Sequence, residues 1–248
     1  MQDQHTCLRL RDQLIRERYA VISLDTEDSH QTLEGALRRF EPNQTFRFPA
    51  RDGDSCYDDS TKRCFEILYE AAVVCTRALW SSSPELSAAF PAIQASVGDA
   101  LEEDFTLFSE ETPHAPFSST DAPFGHTFFN IFNYDHGMLN EHKDRGVVTA
   151  IYIEPGRLDT EAVSQLWVGR SEEDWVAMDS LVERGQLVIF VGEELEAMAH
   201  EVGLDLLAVN HCVRVEPRGD YVSYSHSRRD PDALPVGNRR SAALVLCS

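Results

Sequence analysis

The sequence lacks any apolar run long enough to cross a membrane. No stretch approaches the roughly 20 apolar residues that a transmembrane helix needs. The first residues, MQDQHTCLRLRDQ, are polar and charged where a signal peptide would have an apolar core. We therefore expect a soluble, cytoplasmic protein with no membrane partner.

Positive charge is also scarce. The 248 residues include 42 Asp and Glu but only 22 Lys and Arg, which gives a formal net charge of −20. Phosphate backbones repel such a chain, so nucleic acid is not expected as a partner. Because Lys62 and Lys143 are the only lysines, binding of a carboxylate would fall to arginine, whose planar fork suits it better.

Closely spaced cysteines are missing as well. The six cysteines form no CxxC pair and show no zinc-ligand spacing, so in a reducing compartment they are ordinary thiols. With 42% hydrophobic and 26% charged residues, the composition is that of a globular protein. The length fits one large domain, or a core with an appended subdomain, and we expect a monomer or a weak homodimer.

The pattern of the sequence changes near residue 120. Prolines and small polar residues collect in 111–125 without periodicity and mark a boundary there. We therefore predict a mostly helical region, 1–120, that packs on a core domain, 121–248. In the first region, helical periodicity and capping residues predict helices near 8–15, at 62–80 and from Ser83-Pro84, with a strand at 20–24.

The core region contains short apolar runs that turn residues separate. Seven such runs lie at 126–134, 147–153, 165–168, 174–178, 186–191, 208–215 and 241–247. Turns such as Glu183-Arg184-Gly185 lie between them. This spacing favours a sandwich or barrel over alternating β-α-β units.

A histidine and an aspartate two residues apart, His142 and Asp144, form the first candidate site. On an extended chain both side chains leave the same face, so they can share one metal ion. The alternative is a solvated strand end with an incidental ion pair.

His211 is the second candidate, since alternation places it on the same face as three valines. It therefore points inward, where it is either a core histidine with one hydrogen bond or a metal ligand. Two imidazoles and one carboxylate from two strands of a closed β scaffold form the facial triad that holds Fe(II) and leaves three positions open.

The start of the last strand supplies the third candidate, Arg239 and Ser241, which share one face by alternation. An arginine and a hydroxyl on one inward face can bind a carboxylate through a bidentate pair and a further hydrogen bond. The alternative is that Arg239 and Arg240 form a solvated strand entrance.

Five segments of the core region follow one another in the order of a known family. They are HKD at 142–144, LWVGRSEEDWVAM at 166–178, RGQLVIFVGEELEAMAHE at 184–201, NHCVRV at 210–215 and RRS at 239–241. In this order, over about 126–248, they resemble the C-terminal domain of the Fe(II)/2-oxoglutarate-dependent oxygenases, in the isopenicillin N synthase-like branch.

The resemblance implies a double-stranded β-helix (jelly-roll) core flanked by α-helices. It also implies an enzyme that uses Fe(II), 2-oxoglutarate and O2 to hydroxylate a small-molecule substrate, or to oxidise a C–H bond in a related way, with release of succinate and CO2. The implied iron ligands are His142, Asp144 and His211, and the implied cosubstrate contacts are Arg239 and Ser241. Asn133 stands where the family has a tyrosine that commonly touches the cosubstrate, so this third contact is either made by Asn133 or missing.

One segment is longer than the family pattern. Residues 216–238 join the strand of the distal histidine to the strand of Arg239, and we expect them to form a lid or rim over the pocket. This insertion leaves Arg240 and Arg214 as alternatives to Arg239.

Two other functions fit the same residues. An oxidase of this fold that uses no 2-oxoglutarate would hold a substrate carboxylate with the arginine and serine. A non-catalytic binding protein on the same scaffold would not need three intact metal ligands.

Overall fold

The computed structural model describes ten stretches of the chain. They are 4–24, 26–39, 57–101, 107–108, 124, 126–134, 139–154, 162–171, 173–217 and 239–247. The predicted boundary segment 111–125, apart from residue 124, and the insertion beyond residue 217 lie outside these stretches.

Six α-helices lie in the described part of the chain. They are α1 (Gln4–Glu17), α2 (Glu27–Arg39), α3 (Asp59–Ser82), α4 (Pro84–Ala89), α5 (Pro91–Asp99) and α6 (Glu193–Glu201). The predicted helix at 62–80 is confirmed as α3, which begins after Asp58, whose carboxylate accepts a hydrogen bond from the Thr61 amide at 2.7 Å. None of these helices has the length and apolar character that crossing a membrane requires.

Nine described strands build two antiparallel sheets. They are β1 (Tyr19–Ser23), β2 (Phe128–Tyr134), β3 (Leu139–His142), β4 (Val148–Ile153), β5 (Ala162–Gly169), β6 (Trp175–Ala177), β7 (Gln186–Val191), β8 (Asn210–Pro217) and β9 (Arg239–Leu246). The larger sheet has the order β1-β7-β4-β9-β2, and the smaller one has the order β3-β8-β5-β6. Together with the N-terminal helices they form a double-stranded β-helix core, as the resemblance implied.

Strand β4, in the middle of the larger sheet, is buried on both faces. All six of its residues are buried, and the five apolar ones alternate between two apolar clusters. Ala150 and Tyr152 belong to the cluster that includes Phe65 and Leu68 of α3, whereas Ile151 belongs to the cluster shared with the smaller sheet. The space between the two sheets is therefore lined by one face of each strand, and this is where the candidate site lies.

Candidate metal centre

Strand pairing brings the two candidate histidines together. His142 on β3 is the register partner of His211 on β8, and their ring centroids lie 4.2 Å apart. Asp144 follows β3 by two residues and lies beside both rings, with Oδ1 3.6 Å from Nε2 of His142 and Oδ2 3.7 Å from Nε2 of His211. One ligand atom from each residue lies within 4.8 Å of the other two, so the three can share one ion.

Backbone carbonyls fix the orientation of both imidazoles. Nδ1 of His142 lies 2.9 Å from the carbonyl of Asn140, and Nδ1 of His211 lies 3.2 Å from that of Val209. Because a carbonyl oxygen only accepts, each Nδ1 carries a proton, and in the neutral ring the lone pair lies on Nε2. Nε2, which lies on the side of the Asp144 carboxylate in both residues, is thus the ring atom available to a metal ion.

Burial and charge set the protonation of the site. His211 is only 3% exposed, and this burial lowers its pKa and favours the neutral imidazole. The neighbouring Asp144 carboxylate raises the pKa of His142, which is half-buried. Burial alone would raise the pKa of Asp144, but its interactions with both histidines and with Thr149 outweigh this effect and hold it below the ordinary value. Two imidazoles and one ionised carboxylate are a donor set that fits Fe(II).

Helix α6 holds the main chain around Asp144. The Glu193 amide donates to the Asp144 carbonyl at 2.8 Å, and the Glu194 amide lies 3.2 Å from the Gly146 carbonyl. The Lys143 ammonium also bonds the Glu196 carboxylate at 3.0 Å. The start of α6 therefore fixes the position of the aspartate backbone independently of its side chain.

Gly192 makes this close approach possible. A Cβ atom at this position would lie 2.0 Å from the Gly146 carbonyl oxygen. We expect Gly192→Ala to push α6 away from the Asp144 loop and to lower the free energy of unfolding by about 1–3 kcal/mol, as overpacking does. Chemical unfolding followed by circular dichroism measures this loss.

Gly35→Ala is the matched control for this prediction, since an added Cβ there meets nothing within 4 Å and the residue lies inside α2. Alanine favours a helix over glycine, so this variant is expected to be as stable as the parent or slightly more stable. Equal stability of the Gly192→Ala protein and the parent would contradict the close-packing argument.

A cavity of about 120 Å³ opens beside the three residues, between the two sheets. Apart from the histidines and Asp144, its polar lining residues are Asn130 and Ser241. Its apolar lining residues are Phe132, Leu139, Ile151, Leu166, Val213, Ala243 and Val245. The cavity thus combines an apolar wall with a few polar groups, as small-molecule sites do.

The two alternative arginines, Arg240 and Arg214, have their partners outside the cavity. Arg240 lies on the face of β9 opposite to Ser241, with its guanidinium 3.8 Å from the Glu154 carboxylate. The side chain of Arg214 bonds Glu141 at 2.8 Å and covers the Trp175 ring at 4.7 Å, away from the cavity. Ser241 is buried in the cavity wall.

Two predicted cosubstrate contacts are placed only by strand register. Arg239 pairs with Tyr134, and Asn133 pairs with Arg240, whereas the side chains of Arg239 and Asn133 lie outside the described part. Asn130, which lines the cavity, was not among the predicted residues. The alternation of β2 could have predicted that Asn130 faces the cavity, because the apolar Phe129 and Ile131 occupy the opposite face.

Comparisons with known proteins find similarity in structure. No family model matches the sequence, and no curated protein matches it. A C-terminally truncated protein of Neurospora crassa, in apo form, matches with a TM-score of 0.60 and 11% identity, covering 99% of this chain and 88% of that one. The full-length form of that fungal protein, in complex with alpha-KG and 5-formyluracil, matches with a TM-score of 0.58 and 11% identity, covering 98% and 78%.

A bacterial protein shows the same likeness. A protein from Shewanella oneidensis matches with a TM-score of 0.55 and 15% identity, covering 99% of this chain and 87% of that one. At these identities the matches show the fold. The chain therefore has the fold, and among its described residues the His-Asp-His triad, of 2-oxoglutarate-dependent dioxygenases.

Proposed function

We propose that this protein is an Fe(II)/2-oxoglutarate-dependent oxygenase that hydroxylates a small molecule or oxidises one of its C–H bonds in a related way, with release of succinate and CO2. The observation that carries the proposal is the convergence of His142, Asp144 and His211 at the wall of a cavity between the two sheets. On the sequence motifs we place it in the isopenicillin N synthase-like branch.

The three side chains would hold the metal, and each has a distinct part. The two imidazoles present Nε2 because their Nδ1 protons are bound to carbonyls. Asp144 supplies the negative charge. An Fe(II) ion held by these three ligands would supply oxidation chemistry with 2-oxoglutarate and O2.

The proposed cosubstrate contacts lie on β9 and β2. Ser241 lines the cavity, and strand alternation assigns position 239 to the same face, so Arg239 is proposed to grip the distal carboxylate of 2-oxoglutarate with it. Asn133 is a proposed contact on the motif alone. Asn130 is a second candidate because it lies on the cavity wall.

The proposed cosubstrate also agrees with a structural relative. The full-length Neurospora crassa protein binds alpha-KG, which is 2-oxoglutarate, together with 5-formyluracil. For this chain we propose a small-molecule substrate and, given the net charge of −20, no nucleic-acid partner. We further propose a cytoplasmic monomer or weak homodimer.

Anaerobic addition of Fe(II) and then 2-oxoglutarate to the purified protein tests the function. We expect a visible metal-to-ligand charge-transfer band only after both are present. Metal binding without the band would favour the oxidase that uses no 2-oxoglutarate. Absence of both would favour a non-catalytic binding protein on this scaffold.

A further inference from the structure

Thr149 is a buried polar residue next to the candidate metal centre. It lies on β4 and is fully buried. Its hydroxyl donates a hydrogen bond to Oδ2 of Asp144 at 2.7 Å. Because a hydroxyl has a single proton, the hydrogen bond to the carboxylate uses the only proton that Thr149 can donate from its side chain.

This hydrogen bond acts on a carboxylate that has to face two imidazoles at once. Oδ1 of Asp144 lies toward His142 and Oδ2 toward His211. Rotation about the side-chain torsions would turn one oxygen away from its partner. A donor fixed on Oδ2 opposes that rotation and keeps each carboxylate oxygen near its imidazole.

Thr149 is itself held rigidly. Its Cα has register partners on both sides, Phe190 on β7 and Val245 on β9, within the larger sheet. A β-branched side chain also has restricted freedom about χ1. The hydroxyl is therefore a preorganised donor, and it belongs to a strand other than the ligand strands β3 and β8.

Thr149 also differs in kind from the other neighbours of the Asp144 side chain. Among the described residues that contact this carboxylate, His142 and His211 are candidate metal ligands, and each competes with an ion for its oxygens only when its ring is protonated. A neutral threonine hydroxyl adds no charge and leaves the remaining lone pairs of the carboxylate available.

We propose that Thr149 is a positioning residue that fixes the Asp144 carboxylate in its metal-binding orientation and thereby raises the affinity of the site for a divalent ion. The proposal rests on the proposed function only in assuming that the three residues bind a metal, and it does not depend on 2-oxoglutarate. Loss of a partner of a metal ligand commonly costs about 10- to 100-fold in metal affinity.

Titration of the metal-free protein with Co(II), followed through its visible d–d absorption, tests this proposal without turnover. Thr149→Val keeps the volume but removes the donor, so we expect Co(II) affinity to fall by about 10- to 100-fold. Thr149→Ser restores the hydroxyl and should bind within about threefold of the parent, well short of the loss expected without a hydroxyl.

Thr76→Val is the matched control. Thr76 is equally buried, and its hydroxyl donates to the Ala72 carbonyl at 2.8 Å within α3. Each of the two valine variants removes a buried hydroxyl and its hydrogen bond, so both can lower the thermal unfolding temperature. Only Thr149→Val should also lose Co(II) affinity.

Three results would decide against the proposal. Parental Co(II) affinity in Thr149→Val would show that the hydroxyl does not position Asp144. If that variant did not fold, Thr149→Ala and Thr149→Ser, which differ by the hydroxyl alone, would be compared, and equal affinities would overturn the proposal. Absence of Co(II) binding by the parent protein would instead overturn the metal centre itself.

Discussion

Asp144→Ala is expected to abolish both iron binding and turnover. The carboxylate is the sole negatively charged member of the triad, and it faces both imidazoles, at 3.6 and 3.7 Å. Its removal leaves two neutral nitrogen ligands for a divalent ion. We expect the loss in metal affinity to exceed the roughly 100-fold that removal of an outer-shell partner can cost.

The variant should nevertheless fold. The main chain at Asp144 is held by the amide of Glu193 and by the neighbouring contacts of α6, none of which uses the aspartate side chain. Iron content after anaerobic loading and succinate formation under air are the two measurements. Circular dichroism of the metal-free protein checks the fold.

Asp179→Ala serves as the control for this substitution. The Asp179 carboxylate accepts a hydrogen bond from the Leu166 amide at 2.7 Å, so it also supports a strand of the cavity wall but lies outside the triad. It should keep the parental iron content. Parental iron content and succinate formation in Asp144→Ala would show that the ligand assignment is wrong.

The strands of the larger sheet could be read from local sequence. Residues 186–191 form an apolar run directly after a turn, and β7 has the predicted bounds. The turn is built as expected, since Gly185 has a φ of +81° and the Gln186 amide donates to the Glu183 carbonyl at 3.1 Å. In such segments the pattern and the turn chemistry agree, and local information suffices.

Elements held by distant contacts were not predicted. Helix α2 has few apolar residues, and it is fixed by the burial of Leu33 and Leu37 and by an ion pair between Glu34 and Arg184 at 2.6 Å. Strand β3, Leu-Asn-Glu-His, shows no alternation of apolar residues and pairs with β8. Neither partner is close in sequence. The spacing of Leu33, Ala36 and Leu37 fits a helix but covers little more than one turn, and β3 offers no periodicity at all.

The same distinction applies to the candidate site. The spacing of His142 and Asp144 and the alternation around His211 predicted three side chains on inward faces, and the structure brings them together. The pairing of His142 with His211 depends on long-range strand register. Thr149 lies within an apolar run, where a threonine reads as an ordinary strand residue until the Asp144 carboxylate is seen beside it.

Arg239→Leu is expected to raise the apparent constant for 2-oxoglutarate by about 100-fold or more, because a bidentate charged pair is lost and each charged hydrogen bond contributes roughly 1.5–3 kcal/mol. Arg240→Leu should change it little, since Arg240 lies on the other face of β9, near Glu154. Glu154 would still keep Arg38 as a partner, at 3.3 Å, so Arg240→Leu should also retain its fold.

Comparing Arg239→Leu with Arg240→Leu tests which arginine binds the cosubstrate and which face of β9 it lies on. Ser241 lines the cavity, and in a strand the residue two positions before it leaves the same side, whereas the residue one position before it leaves the other. Anaerobic titration of the Fe(II) protein with 2-oxoglutarate, read from the charge-transfer band, measures binding separately from turnover. A larger effect of Arg240→Leu than of Arg239→Leu would contradict the assignment, and it would mean that the cosubstrate carboxylate is held from outside the face that carries Ser241.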